Sequence, residues 1–178
     1  KYESSKHGEP LPGRWVPTKG PVGLNGKPTK FKNRWCIRGD LCPYRNRIDN
    51  SSPAYGGAIF NGNGSNANIQ SSQFSWNIAA HAGGAISNNA SSPIINECTF
   101  QANASPTGAA LNNNLNSNAV VTDCIFVENH AMMDGGAMHN ANQSNVEISG
   151  CTFENNSAAY LGGAIKNWSS SPTIEGCS

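Results

Sequence analysis

The chain has 178 residues, 13% of them charged, and a formal net charge of +1. This is long enough for one sizeable domain. It has neither an apolar run that would cross a bilayer nor a charged-then-apolar signal segment at Lys1, so it reads as soluble and as either mature or a fragment. The small net charge hides a division, since residues 1–49 carry a net +7 and residues 50–178 a net −6.

The basic part, 1–49, shows no regular period and is punctuated by Pro10, Pro12, Pro17, Pro21, Pro28 and Pro43. It is expected to be an extended arm without a core of its own, ordered by whatever it lies against. Trp15, Phe31 and Trp35 are its candidate anchors, and Arg34, Arg38, Arg45 and Arg47 its candidate contacts to acidic turns. Basic residues interleaved with aromatics also describe a polyanion surface. The acidic body would repel that ligand, so no nucleic-acid partner is expected. Cys36 and Cys42 bracket a five-residue loop that a local disulfide would close. Within that loop, Arg38-Gly39-Asp40 is similar to the tripeptide displayed by integrin-binding proteins, although three-residue matches are common by chance and an ordinary Gly turn flanked by opposite charges accounts for it far more often.

From residue 50 onward the chain repeats. Gly56-Gly57-Ala58-Ile59, Gly83-Gly84-Ala85-Ile86, the eroded Gly108-Ala109-Ala110-Leu111, Gly135-Gly136-Ala137-Met138 and Gly162-Gly163-Ala164-Ile165 follow one another at 27, 25, 27 and 27 residues. A second motif keeps the same phase, beginning at Phe74, Phe100, Phe126 and Phe153 and ending three residues later at Asn77, Asn103, Asn129 and Asn156. A fixed period of this size marks a repeat architecture. Each period holds three short extended runs bounded by Asn, Ser, Gly and Ala, with no helical periodicity. The expected fold is therefore all-β: a parallel β-helix of about five coils of 25–27 residues, three strands per coil, over residues 50–178.

In-register stacking about 4.7–4.9 Å apart requires like residues at like positions. Ile69, Ile95, Val121, Ile148 and Ile174 meet that requirement, as do Phe74, Phe100, Phe126 and Phe153. Cys98, Cys124, Cys151 and Cys177 form a third column, headed by Ser72, and Asn61, Asn88, Asn113, Asn140 and Asn167 a fourth. Asn amides at this spacing can bond along the axis and satisfy turn backbones. Stacked cysteines sit farther apart than the roughly 3.5–4.5 Å between Cβ atoms that a disulfide prefers, so a reduced thiol ladder is expected. One row of thiols cannot converge on a tetrahedral metal either, and no metal or cofactor is expected.

The GGA-aliphatic and Phe-x-x-Asn motifs resemble the repeats of the chlamydial polymorphic membrane proteins and related bacterial surface proteins. The resemblance covers residues 54–178. It implies a right-handed solenoid, exposed at a cell surface or secreted, with an adhesive or structural role. Glu97 and Asp123, equivalent on adjacent coils, are the best candidate pair for carbohydrate-active chemistry, although a solvated pair beside a turn fits them better. His81, His130 and His139 fall in three different columns and make no constellation. Seven Asn-x-Ser sequons match what the composition alone would give.

The sequence ends at Ser178, as Ile174 and Glu175 begin a sixth circuit with nothing resembling a cap. The leading expectation is a non-enzymatic extracellular structural protein whose copies stack head to tail into a fibre, with the arm strapping the neighbouring copy. An adhesin fragment that binds a surface receptor or glycan, and a carbohydrate-active enzyme, are the alternatives. Membrane insertion is not expected.

Overall fold

The Gly-Gly-Ala motif folds as a corner followed by a strand. In the computed structural model, which describes residues 50–178, Gly56, Gly83, Gly108, Gly135 and Gly162 all have φ between 55° and 67°. Residues with a Cβ enter that left-handed region at a cost of about 1–2 kcal/mol. The second glycine serves another need. A Cβ on Gly57, Gly84 or Gly136 would overlap the carbonyl oxygen of Gly84, Ala109 or Gly163 on the next coil, so its absence lets the coils close.

Four strands make each coil, one more than the sequence indicates. β1 (Ser51–Ser52), β5 (Ile78–Ala79), β9 (Ala104–Thr107), β13 (His130–Asp134) and β17 (Ser157–Ala158) stack as one sheet. The second sheet takes β2 (Ile59–Gly62), β6 (Ile86–Asn89), β10 (Leu111–Asn114), β14 (Met138–Ala141) and β18 (Ile165–Trp168). The third takes β3 (Asn68–Gln70), β7 (Ile94–Asn96), β11 (Val120–Thr122), β15 (Glu147–Ser149) and β19 (Thr173–Glu175). The fourth takes β4 (Gln73–Ser75), β8 (Thr99–Gln101), β12 (Ile125–Val127) and β16 (Thr152–Glu154). The strand absent from the sequence reading is the run after Phe-x-x-Asn. It is only two residues long in β1, β5 and β17, too short to show an alternation.

Every pairing is parallel, and each links a strand to its equivalent one coil on. Ile69, Ile95, Val121, Ile148 and Ile174 are consecutive register partners. The Phe column is continuous too, with ring centroids 5.0, 4.9 and 4.8 Å apart and planes within 9° of parallel. Phe100, Phe126, Ile95, Val121, Leu111 and Met138 have no exposed surface, which places the core inside the coils.

The other corners of the second coil are turned by Ala90, Glu97 and Ala102, at φ of 51°, 52° and 52°. Side-chain bonding from the following residues accompanies two of these turns. After Ala102, Asn103 donates its backbone N–H to Asn129 Oδ1 at 3.0 Å and its Nδ2 to the same oxygen at 2.9 Å. Asn103 Nδ2 also donates to the Phe74 carbonyl on the preceding coil, at 2.9 Å. The three-residue spacing of Phe-x-x-Asn thus ties each corner to the Phe strand of the coil before it. After Ala90, Ser91 donates its N–H to Ser117 Oγ at 3.2 Å, and Ser117 donates likewise to Ser144 Oγ at 3.0 Å.

Phe126→Ala is expected to lower unfolding free energy by about 3–5 kcal/mol through cavity formation. Asn129→Ala, which strands the Asn103 donors, is expected to cost about 1–3 kcal/mol. Urea melts of the two variants test both values, and a nearly neutral Phe126→Ala would contradict the stacked core.

Candidate functional site

Strand alternation sends one residue of each pair in the second sheet inward and the next outward. Ile86, Leu111, Met138, Asn88, Asn113 and Asn140 point in and are fully buried. Asn61, Asn88, Asn113, Asn140 and Asn167 run as an amide ladder, each Nδ2 donating to the next Oδ1 at 2.7 to 2.9 Å. On the outer side the column reads Phe60, Ser87, Asn112, His139 and Lys166. Asn112 Nδ2 donates to Ser87 Oγ at 3.3 Å, and Asn112 Oδ1 lies 3.2 Å from His139 Nδ1. With the Asn112 amide in this orientation its oxygen accepts from His139 Nδ1–H, the tautomer that leaves Nε2 as an acceptor.

Asn112 and His139 of this outer face line a cleft of about 460 Å³. Ser87 and Asn112 face outward yet are only 1% and 6% exposed. At one end Tyr55 stands against His81, with ring centroids 5.4 Å apart, and against Phe60 at 6.3 Å. At the other end is Trp168, which is 60% exposed. Along the side, Asn142 Nδ2 donates to Asn114 Oδ1 at 2.7 Å. Ala82 and Ala141 keep the floor low, and Thr107 completes the wall. No Asp, Glu, Lys or Arg is among these lining residues. Burial lowers the His139 pKa from its ordinary 6.5, outweighing Asp134, whose charge raises it, and Lys166 adds to the lowering.

The sequence columns separate His81 from His139, but the corner between the first and second sheets brings both to this cleft. His130 is not part of it; its Nδ1 lies 2.9 Å from Ser157 Oγ. Glu97 and Asp123 lie on the corner between the third and fourth sheets, both at positive φ, and are absent from the cleft lining. Their carboxylates lean apart. Glu97 Oε2 accepts from Ser71 Oγ on the preceding coil at 3.0 Å, while Asp123 Oδ1 occupies the space a Cβ on Gly150 of the following coil would need. Among the described residues no group of three or more His, Cys, Asp or Glu is placed to hold a metal ion.

Cys98, Cys124, Cys151 and Cys177 are free thiols, the first three 1% exposed. Cys124 Sγ accepts the backbone N–H of Cys98 and Cys151 Sγ that of Cys124, both at 3.4 Å. Burial raises the Cys98 pKa. Cys124 and Cys151 share a hydrogen bond that pushes Cys124 far up and draws Cys151 down to about 7. Ile174 and Asn167 continue their columns in register but are exposed in the last coil. The Ser91, Ser117, Ser144 ladder escaped sequence reasoning because Ser is so frequent here that its recurrence carries little contrast. The Cys36–Cys42 bridge and the arm residues Trp15, Phe31, Arg34, Trp35, Arg38, Arg45 and Arg47 lie outside the described residues.

The model of the family described as a right-handed β-helix region matches residues 36–178. No curated protein and no solved structure matches the chain.

Two outcomes follow from the site's titratable groups. The folded state keeps His139 neutral while the unfolded chain protonates it near 6.5. Its contribution to stability is therefore full above that pH and declines as pH falls through 6.5 toward the lower folded pKa. Urea midpoints measured across this range should fall less steeply in His139→Asn. Under native conditions, a thiol reagent should modify Cys177 well before Cys98, Cys124 or Cys151, whose access is closed by burial. Peptide mapping of the reacted protein reads out the order.

Proposed function

Because the chain belongs to the right-handed β-helix family, we propose that it is a non-enzymatic structural protein of the cell surface or extracellular space, whose copies associate end to end into a fibre. The observation that carries this reading is the self-complementarity of the coil. Successive coils are joined by the same partners at each step: Phe on Phe, Asn amide to Asn oxygen, and Ser N–H to Ser Oγ. A surface that binds the next coil of its own chain is complementary to the matching coil of another copy. Such a heterologous contact propagates without closing. The likeness of its motifs to those of bacterial surface proteins supports the location.

The non-enzymatic part rests on the divergence of Glu97 and Asp123. Glycoside hydrolysis needs two carboxyl groups flanking one bond, whereas these lean toward different coils and lie away from the cleft. A second reading, an adhesin, is favoured by the exposed aromatics at the cleft ends.

Electron microscopy of the concentrated full chain is expected to show unbranched filaments. Five coils at about 4.8 Å each give an axial repeat of roughly 24 Å. Aligned filaments should diffract at about 4.8 Å along the axis. A variant lacking residues 1–35 is expected to keep its β-sheet circular dichroism but to give fragile, salt-sensitive filaments. A full chain that remains monomeric by sedimentation at high concentration would rule out the fibre.

A further inference from the structure

We propose that the cleft over β10 and β14 is a binding site for an uncharged, hydroxyl-rich chain, an extended neutral glycan crossing the solenoid face obliquely. The proposal does not depend on whether copies of the protein stack.

Length and direction come first. The lining runs from Tyr55 in the first coil to Trp168 in the fifth, four coil steps or about 19 Å. Tyr55 belongs to the column of Ala82 and Thr107 and Trp168 to the column of Ala141, so a ligand spanning both ends must be extended and must cross the face obliquely as it advances along the axis. The ends provide flat apolar surface, with Tyr55 49% and Trp168 60% exposed. Such rings pair an apolar face with a polar edge, which suits a pyranose with its C–H face and hydroxyl rim.

Between the rings the polar groups are neutral and already oriented. Asn114 Oδ1 accepts from Leu115 N–H at 3.0 Å and from Asn142 Nδ2, which directs the Asn114 amide's own NH₂ away from those partners as a donor. His139, with its proton on Nδ1 toward Asn112, keeps Nε2 as an acceptor. The wall thus offers a donor at Asn114 and an acceptor at His139, which suits a hydroxyl-bearing ligand, since each hydroxyl both donates and accepts.

Other ligand classes fit less well. A nucleic acid or acidic polysaccharide needs Lys or Arg against its anions, and among the described residues the lining has neither. An extended peptide docking by strand addition needs an open sheet edge, whereas the cleft floor is the face of a sheet whose strands β6, β10 and β14 are paired on both sides.

The test is isothermal titration of the full chain with neutral hexasaccharides (β-1,4-glucan, β-1,3-glucan, β-1,4-xylan and β-1,4-mannan) and with hexagalacturonate as the charged comparison. At least one neutral hexamer is expected to bind with little dependence on salt, and its trimer, too short to reach both ends, much more weakly. Trp168→Ala and Tyr55→Ala should each weaken binding by roughly tenfold or more. Both side chains are exposed, and unchanged circular dichroism verifies that the variants fold. Failure of every neutral hexamer to bind at millimolar concentration overturns the proposal. So does preferential, salt-sensitive binding of hexagalacturonate, or full affinity in Trp168→Ala.

Discussion

At each corner after the Phe strand, the backbone must turn inside the protein, where a peptide N–H has no water to bond. The column of Asn77, Asn103, Asn129 and Asn156 resolves this. Each amide oxygen from Asn103 onward takes both the backbone N–H and the Nδ2 of the Asn before it, at 2.9 to 3.0 Å. Each Nδ2 from Asn103 onward also reaches the Phe carbonyl on the preceding coil, at 2.8 to 2.9 Å. An unpartnered buried donor costs about 1–3 kcal/mol, so loss of one such amide would be felt on two coils. Because the bonds run along the axis, the corner is stable only when the next coil presents the same residue in the same place. This requirement explains why the inward positions tolerate so little change.

Where the repeat does vary, the chain absorbs the difference locally. The third coil carries Ala109 in place of the second glycine and is one residue shorter than the fourth between the fourth-sheet corner and the Gly corner. The mismatch is taken up as a register shift between β9 and β13, which leaves Met132 and Met133 exposed at 56% and 48%. The turn that follows keeps the length it has in the fourth coil, with Leu115 and Asn116 at positive φ as Asn142 and Gln143 are there. Core residues on either side, Leu111 and Val121, remain fully buried. Irregularity is pushed to the outside, where it costs little.

The same separation of inside and outside connects fold to function. Inward columns fix the spacing of coils and make the solenoid a rigid rod. Outward residues are spaced by that rod but not chosen by it, so one face of the second sheet can hold Asn112 and His139 beneath a cleft ended by Tyr55 and Trp168. The stiffness of the inner ladders keeps those outer groups at fixed distances, which lets them act as one surface.

The solenoid itself was legible in the sequence because every inward side chain is repeated. Ile, Phe, Cys and Asn recur at 25 to 27 residues since each must pack on, or bond to, its own kind. That recurrence also gave the strand register and the interior position of these columns. The fourth strand was not legible, being two residues long in three of its five copies with no common outward residue. Nor was the cleft, because nothing requires an outward residue to match its neighbour. His81 and His139 belong to different columns, and only the angle of the glycine corner brings them to one cavity. The direction in which Glu97 and Asp123 lean was equally undetermined, since two carboxylates at equivalent positions can converge or part. Their local partners, Ser71 and the open space over Gly150, set them apart.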